Sequence, residues 1–324
     1  MELKSGPSLA LYEAARAVLG DVPFRFSPYS KAERGYRFAE GREAESPAPR
    51  FADDISFSAG ASTERAFRDV LRSCLTQICE NRLAVLASED PEGPHQLGEA
   101  GALRDLDVLI DEIVMPVVAK APQNLSFDAL LAELSATRGE DTRKVLTDHL
   151  KSAEVNTFLL DLAAYTEGRG WLDPENLGQT ALLAQPIEEF AGNALARQWK
   201  KVLKYGKRIE DLSVPERHEM RKAMKKMRYG IEFFGSLYPV DTVKPFLKRM
   251  KKLQDIFGYL NDVAMAETLP DKYNASGRSL GPGADAVLLA TGFVIGWHEA
   301  QCQAMWQHAR GYWDATRRTP KFWV

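Results

Sequence analysis

The chain has 324 residues, 45% hydrophobic and 27% charged, the balance of a folded protein of one large or two ordinary domains rather than of a disordered chain. Its formal net charge is −3, so the whole-chain charge gives no reason to expect a polyanionic partner. That average hides residues 197–252, where 17 Lys and Arg face 6 Asp and Glu, a net of +11 that leaves −14 for the other 268 residues. A strongly basic stretch on an acidic body points to a local anion site.

Taken in chain order, apolar residues recur at helical spacing over 9–19 and stop at Gly20. The next twenty, VPFRFSPYSKAERGYRFAEG, carry Pro23, Pro28 and aromatics at alternating places and read as extended and turn-rich. Residues 42–61 are rich in Pro, Ala and acids without a period and read as a linker. Beyond them almost everything is helical. A helix begins after Ser62-Thr63 and runs to about Leu86, a second covers 98–118 and stops near Pro116, and 126–135 and 140–166 form a short and a long helix. Three more occupy 186–209, 214–236 and 243–266. After a Gly- and Pro-broken loop over 271–285 comes a final helix, 284–316. Gly292 and Gly296, four apart in that helix, suggest close helix packing; the charged residues around them argue against a membrane span. No apolar run reaches the roughly 18 residues a span needs, and the N-terminus lacks a signal pattern. Cys74, Cys79 and Cys302 match neither a disulfide framework nor a zinc spacing, and the first two are expected to pack as small apolar groups. A reducing, cytoplasmic setting is therefore expected.

The most informative stretch is ERHEMRKAMKKMRYGIEFF, 216–234. On a helix Met220, Ala223, Met224, Met227, Ile231 and Phe234 fall on one stripe, the expected core face. His218, Arg221, Lys225 and Arg228 form a second stripe, flanked by Lys222 and Lys226. Like charges so spaced destabilise a helix by a few tenths of a kcal/mol per pair, a cost that a bound anion would offset. The neighbouring helices repeat the pattern, with Arg197, Lys200, Lys201, Lys204 and Arg208 on one and Lys244, Lys248, Lys251 and Lys252 on the other. If consecutive helices pack antiparallel, the three faces line one groove. Lys-rich faces are often merely solvated, yet such faces usually mix signs, and 244–252 contains no acid. The cluster has few interleaved aromatics for stacking bases, which favours an unstacked phosphate polymer over single-stranded RNA. Among so many cations the charged form of His218 is disfavoured until phosphate binds; capping or packing near the helix start is its alternative role. The other histidines share no metal spacing. Asp105, Asp107 and Asp262 suit structural pairing better than metal binding. No metal or cofactor is expected.

A weak internal repeat is also visible: His95-Gln96-Leu97 followed by Leu103 to Val108 resembles His218-Glu219-Met220 followed later by Leu260 to Val263. Together with AFRDVLRSCLTQICEN, LQDIFGYLNDVAMAE, ATGFVIGWHEA and the closing PKFW, these residues resemble the CHAD family, the conserved-histidine α-helical domain, over about 57–324. The resemblance implies an all-α fold, a helical bundle of two related halves around a basic channel, and binding of inorganic polyphosphate. Carried over by position, it implies phosphate contacts at His218, Arg221, Lys222, Lys225, Lys226 and Arg228, with Lys200, Lys201, Lys204, Lys248, Arg249 and Lys252 as further candidates. The first half departs from the family. HQL runs straight into GEAGALRDLDV, leaving that half shortened by a basic helix and the expected groove one-sided.

The first forty residues look like the C-terminal remnant of a CYTH domain, a triphosphate-processing β-tunnel, and imply a short α/β segment. Of its opening Glu-x-Glu-x-Lys motif only Glu2 and Lys4 are present. The expected organisation is thus a remnant over 1–40, a linker over 41–61 and a helical domain over 62–324 with halves at about 62–170 and 186–324. The expected function is non-catalytic polyphosphate binding, with association to polyphosphate granules and neither membrane nor nucleic acid as partner. Two other readings stay open: a CYTH-type triphosphatase whose catalytic strands lie outside this chain, and nucleic-acid binding.

Overall fold

In the computed structural model the described residues are 4–19, 24, 26–27, 29–41, 48–87, 109–137, 140–267 and 283–324. They form twelve α-helices and, among the described residues, no named strand. The fold is all-α. The chain divides into two units, one of residues 1–55, 60–101 and 140–187, the other of 56–59, 102–139 and 188–324.

The first unit contains α1 (Leu9–Leu19), α2 (Lys31–Ala39), α3 (Thr63–Ala87), α6 (Glu140–Lys151), α7 (Ala153–Glu167) and α8 (Leu177–Ala184). α3 packs on α6, α7 and α8, and α1 packs on α7. A buried polar core supports this packing. Arg82, 2% exposed, donates from Nε to the Leu150 carbonyl at 2.8 Å and from Nη2 to Asn156 Oδ1 at 2.9 Å. The same Oδ1 accepts the Phe26 amide at 3.0 Å, and Asn156 Nδ2 donates to the Ser152 carbonyl at 2.9 Å. The extended strap after residue 48 is fixed in the same way. Asn81 on α3 accepts the Arg50 N–H at 2.7 Å and donates to the Arg50 carbonyl at 2.9 Å.

The N-terminal segment departs from expectation. Residues 31–39 are helical, not extended: Ser30 caps α2 by accepting the Glu33 amide at 3.1 Å, a signal that the alternating aromatics obscured. Tyr36 and Phe38, read as strand-like, are both exposed. The described residues of 4–41 hold two helices and no strand, so the α/β segment implied by the resemblance is not seen there. The expected helix over 140–166 is two helices, broken where Ser152 leaves helical geometry and caps α7 through the Val155 amide at 3.3 Å. α8 was not anticipated. Cys79 is buried but Cys74 is exposed, against the expectation that both pack inside.

The second unit contains α4 (Met115–Val118), α5 (Asp128–Thr137), α9 (Ile187–Gly206), α10 (Val214–Phe234), α11 (Val240–Ala266) and α12 (Ala284–Arg318). The helix ends at Val118, near Pro116 as expected. A π-helical turn over Leu109–Val114 leads into α4, and widening the turn relieves the clash that a proline ring makes with the carbonyl four residues back. α5, the π turn and the start of α12 share one apolar cluster, including Ile113, Leu130, Leu134 and Val294. A second, aromatic cluster joins α9, α11 and α12. The Trp199 ring lies 5.4 Å from Phe246 and 5.7 Å from Trp313, and Trp323 of the closing PKFW lies 4.9 Å from Phe246. The last residue of α9 is Gly206, where a Cβ would fall 1.8 Å from the Trp313 ring, so no larger residue fits. Gly292 and Gly296 play no such part. Both are exposed, and a Cβ at either would meet nothing within 4 Å, which corrects the expectation of close packing. The first histidine motif with Asp105 and Asp107, and the loop over 271–285 except its last three residues, lie outside the described residues, as does the Asp262 side chain.

Candidate anion-binding site

α10 is held by its ends and its core face. Glu216, at the third helical position, accepts the Ser213 amide at 3.0 Å and the Ser213 hydroxyl at 2.8 Å and also pairs with Arg208. These bonds, the Ser213 amide first, hold the Glu216 carboxyl below the usual carboxylate range. Met220, Ala223, Met224, Met227, Ile231 and Phe234 are all buried, as their spacing requires. Each of the large ones stabilises the unit by about 1.5–3 kcal/mol. At 100° per residue the remaining positions leave His218, Lys225 and Tyr229 at the crest, Glu219, Lys222 and Lys226 on one flank, and Arg221, Arg228 and Glu232 on the other.

The first flank faces α9. Gln198 Nε2 donates to the Ala223 carbonyl at 2.8 Å, and Gly230 leaves room for Leu195, whose methyl would stand 3.2 Å from a Cβ there. Between the helices runs a groove of about 320 Å³ lined by Gln198, Lys201, Lys204, Tyr205, Glu219, Lys222, Ala223 and Lys226. Four ammonium groups from two helices thus face one space that holds a single carboxylate. Glu219 pairs with Lys222 at 2.5 Å. That bond, with the charges of Lys222, His218 and Lys226, holds the Glu219 carboxyl below its ordinary range.

The second flank faces α11. Arg228 Nη1 and Lys251 Nζ approach the same oxygen, Glu232 Oε1, at 3.3 and 3.1 Å. The Arg228 guanidinium lies 4.8 Å from the centre of the Tyr229 ring and Lys225 Nζ 5.6 Å from it. The Nε atoms of Arg221 and Arg228 are buried and meet no hydrogen-bond partner among the described residues.

The twelve residues singled out in the sequence are therefore not in one place. Lys201, Lys204, Lys222 and Lys226 converge in the groove; Lys200 is exposed on α9 but does not line it. His218 opens the crest and is exposed, while Arg221, Lys225 and Arg228 are half-buried on the crest and second flank. The cations of α11 diverge. Lys248 is exposed, Arg249 donates to Thr319 Oγ1, and Lys252 lies 5.5 Å over the Tyr312 ring, so the latter two engage α12 and the chain end rather than α10. Lys251, named on charge alone, is the α11 cation that forms an ion pair with α10 among the described residues. Gln198, Glu219 and Glu232 were not anticipated. Glu232 is legible as the i, i+4 partner of Arg228, but its second contact, from another helix, has no sequence signal.

One histidine has a structural role. His298 on α12, 1% exposed, places Nε2 2.8 Å from the Ile113 carbonyl in the π turn and Nδ1 2.7 Å from the Tyr259 hydroxyl on α11. A carbonyl only accepts, so Nε2 carries the proton and Nδ1 accepts from Tyr259. Burial pushes the imidazole below its ordinary value and the Tyr259 phenol up to about 12. No group of His, Cys, Asp and Glu among the described residues could hold a metal ion, and no helix there is long and apolar enough to cross a membrane.

An all-helical fold presenting a lysine groove defines the class. The CHAD domain family matches residues 97–270, and the chain belongs to it. It is similar to the crystal structure of the CHAD domain from the plant Ricinus communis, with 25% sequence identity and a TM-score of 0.65 over 85% of this chain and 99% of that one. No curated protein matches.

Proposed function

We propose that the protein binds inorganic polyphosphate along the exposed face of α10, without turning it over. The observation that carries this reading is the meeting of Lys201 and Lys204 with Lys222 and Lys226 in one groove. A linear polyanion presents a charge at each unit and suits a row of mobile ammonium groups, each a point charge able to follow a different phosphate. His218, Arg221, Lys225 and Arg228 extend the basic arc beyond the groove and supply further contacts. Lys200, Lys248, Arg249 and Lys252 add to the surrounding potential. Tyr229 argues against nucleic acid. It is the aromatic on the crest, and its ring is already stacked by Arg228 and approached by Lys225 rather than held open for a base. Granules of the same polymer would be retained by the same contacts.

Titration with long-chain polyphosphate at several salt concentrations tests this reading. Log affinity should fall linearly with log salt, and a flat response would remove the groove from the explanation. RNA at matched phosphate concentration should compete weakly. Triphosphate incubated with Mg²⁺ or Mn²⁺ should stay intact; hydrolysis that tracks the protein through purification would overturn the non-catalytic reading.

A further inference from the structure

The two flanks of α10 are not equivalent. On the α9 side Lys201, Lys204 and Lys226 have no carboxylate within ion-pair distance among the described residues, and Glu219 takes only Lys222. On the α11 side one carboxylate oxygen of Glu232 meets two cations of two different helices. A carboxylate oxygen set between a guanidinium and an ammonium occupies the place and uses the chemistry of a phosphate oxygen. The donor set around it is incomplete for a carboxylate alone. Arg228 meets Glu232 through Nη1 at 3.3 Å, a long contact, while its Nε–H is buried and unpartnered. One i, i+7 step away on the same flank, Arg221 Nε is buried and unpartnered too. An anion meeting both guanidinium groups would supply acceptors that Glu232 alone does not.

We infer that Glu232 is an internal competitor for phosphate: it holds shut a second anion track on the α11 side of α10, formed by Arg221, Arg228 and Lys251. This inference rests on the polyphosphate reading and adds to it a residue that limits affinity. A polymer filling the lysine groove and continuing over the crest must displace Glu232 from Arg228 and Lys251 to use the second track. The carboxylate is partly exposed, so it can swing out while its helix stays packed.

The test compares four variants of the full chain for binding of long-chain inorganic polyphosphate, with circular dichroism to confirm folding. Glu232→Gln keeps shape and helix propensity and removes the competing charge. It should raise affinity about threefold to tenfold and steepen the log–log salt slope by up to ~0.7–0.9, the equivalent of one further phosphate contact. Asp255→Asn, the same change of charge at an exposed α11 position, should raise affinity by less than half as much. Adding Lys251→Gln to Glu232→Gln should abolish the gain, and Lys251→Gln alone should weaken binding. Equal gains from Glu232→Gln and Asp255→Asn would reduce the effect to general electrostatics and overturn the inference. So would wild-type affinity in Glu232→Gln and Lys251→Gln while the parent binds with a clear salt slope, which leaves the polyphosphate reading standing. A parent chain that binds no polyphosphate overturns both.

Discussion

Basic residues do different work in the two units. Around α3 and α7 arginines meet acids across elements: Arg72 takes Glu167 at 2.9 Å, Arg169 takes Glu64 at 2.9 Å and Arg16 takes Asp161 at 2.6 Å. Arg82 is sunk in the core among carbonyls and an amide. Along α9 and α10 the cations instead share one side of a helix with few acids, and Lys201, Lys204 and Lys226 face open space. A charge matched within the chain fixes structure, whereas an unmatched one is available to a ligand. In the first unit each of these three ion pairs ties together segments far apart in sequence.

The largest effect expected from this contrast is at Arg82. Arg82→Met fills similar volume but removes two hydrogen bonds from a charged donor, to the Leu150 carbonyl and to Asn156 Oδ1, which keeps only the Phe26 amide, at about 1.5–3 kcal/mol for each bond. Chemical denaturation should show a loss of about 3 kcal/mol or more. A loss under 1 kcal/mol would mean that the buried network contributes little.

Next is the groove. Lys222→Gln with Lys226→Gln removes two of its four ammonium groups and keeps good helix formers at exposed positions. Stability should change by less than ~0.5 kcal/mol, while polyphosphate affinity should fall at least tenfold, or ~1.4 kcal/mol. Unchanged affinity would move the site to Arg221, Lys225 and Arg228, which a triple change to Gln would test in turn.

The core of this arrangement was legible because it depends on period alone. The six apolar positions of α10 and its start at Ser213 follow from 3.6-residue spacing and a capping box, so the helix and its basic arc could be drawn before any packing was known. What could not be drawn was the partner of each cation. Whether Arg249 and Lys252 turn to α10 or to α12 depends on the rotation of α11 about its own axis, and that is set by contacts such as Phe246 against Trp199, far apart in sequence. The same holds for His298. Nothing in GWHEA indicates a carbonyl 185 residues earlier, in a π turn just before Pro116.

That histidine gives the third prediction, a pH dependence confined to the second unit. Its folded value lies below the ordinary 6.5, so below pH ~6.5 the unfolded chain binds a proton that the folded chain refuses. Stability should therefore be flat with respect to His298 above pH 7 and fall as pH drops through 6.5, by at most ~1.4 kcal/mol per unit, until the folded value is reached. The groups around it do not add to this window: Tyr259 and Cys302 are pushed up to about 12 and about 11, both first by burial. His298→Gln should be less stable at pH 8 and should lose this part of the slope. A parent and variant with parallel stability curves from pH 8 to 5 would show that His298 is not the titrating group.

The smallest effect concerns α12, where two glycines sit on a solvent-facing stretch of helix without touching a neighbour. Gly292 and Gly296 are exposed, neither has the positive φ that would require glycine, and a methyl at either meets nothing within 4 Å. The unfolded chain gains freedom at each glycine that the helix must remove, so Gly292→Ala and Gly296→Ala should each stabilise the protein by about 0.4–1 kcal/mol. The two lie four residues apart without a shared partner, so the effects should add within about 0.5 kcal/mol. Neither change alters a charge on α9, α10 or α11, so polyphosphate affinity and its salt slope should stay at the parent's values. Denaturant midpoints that move down instead of up would mean that a close contact forms on that face in solution, and the expectation of tight packing drawn from the four-residue spacing would be restored.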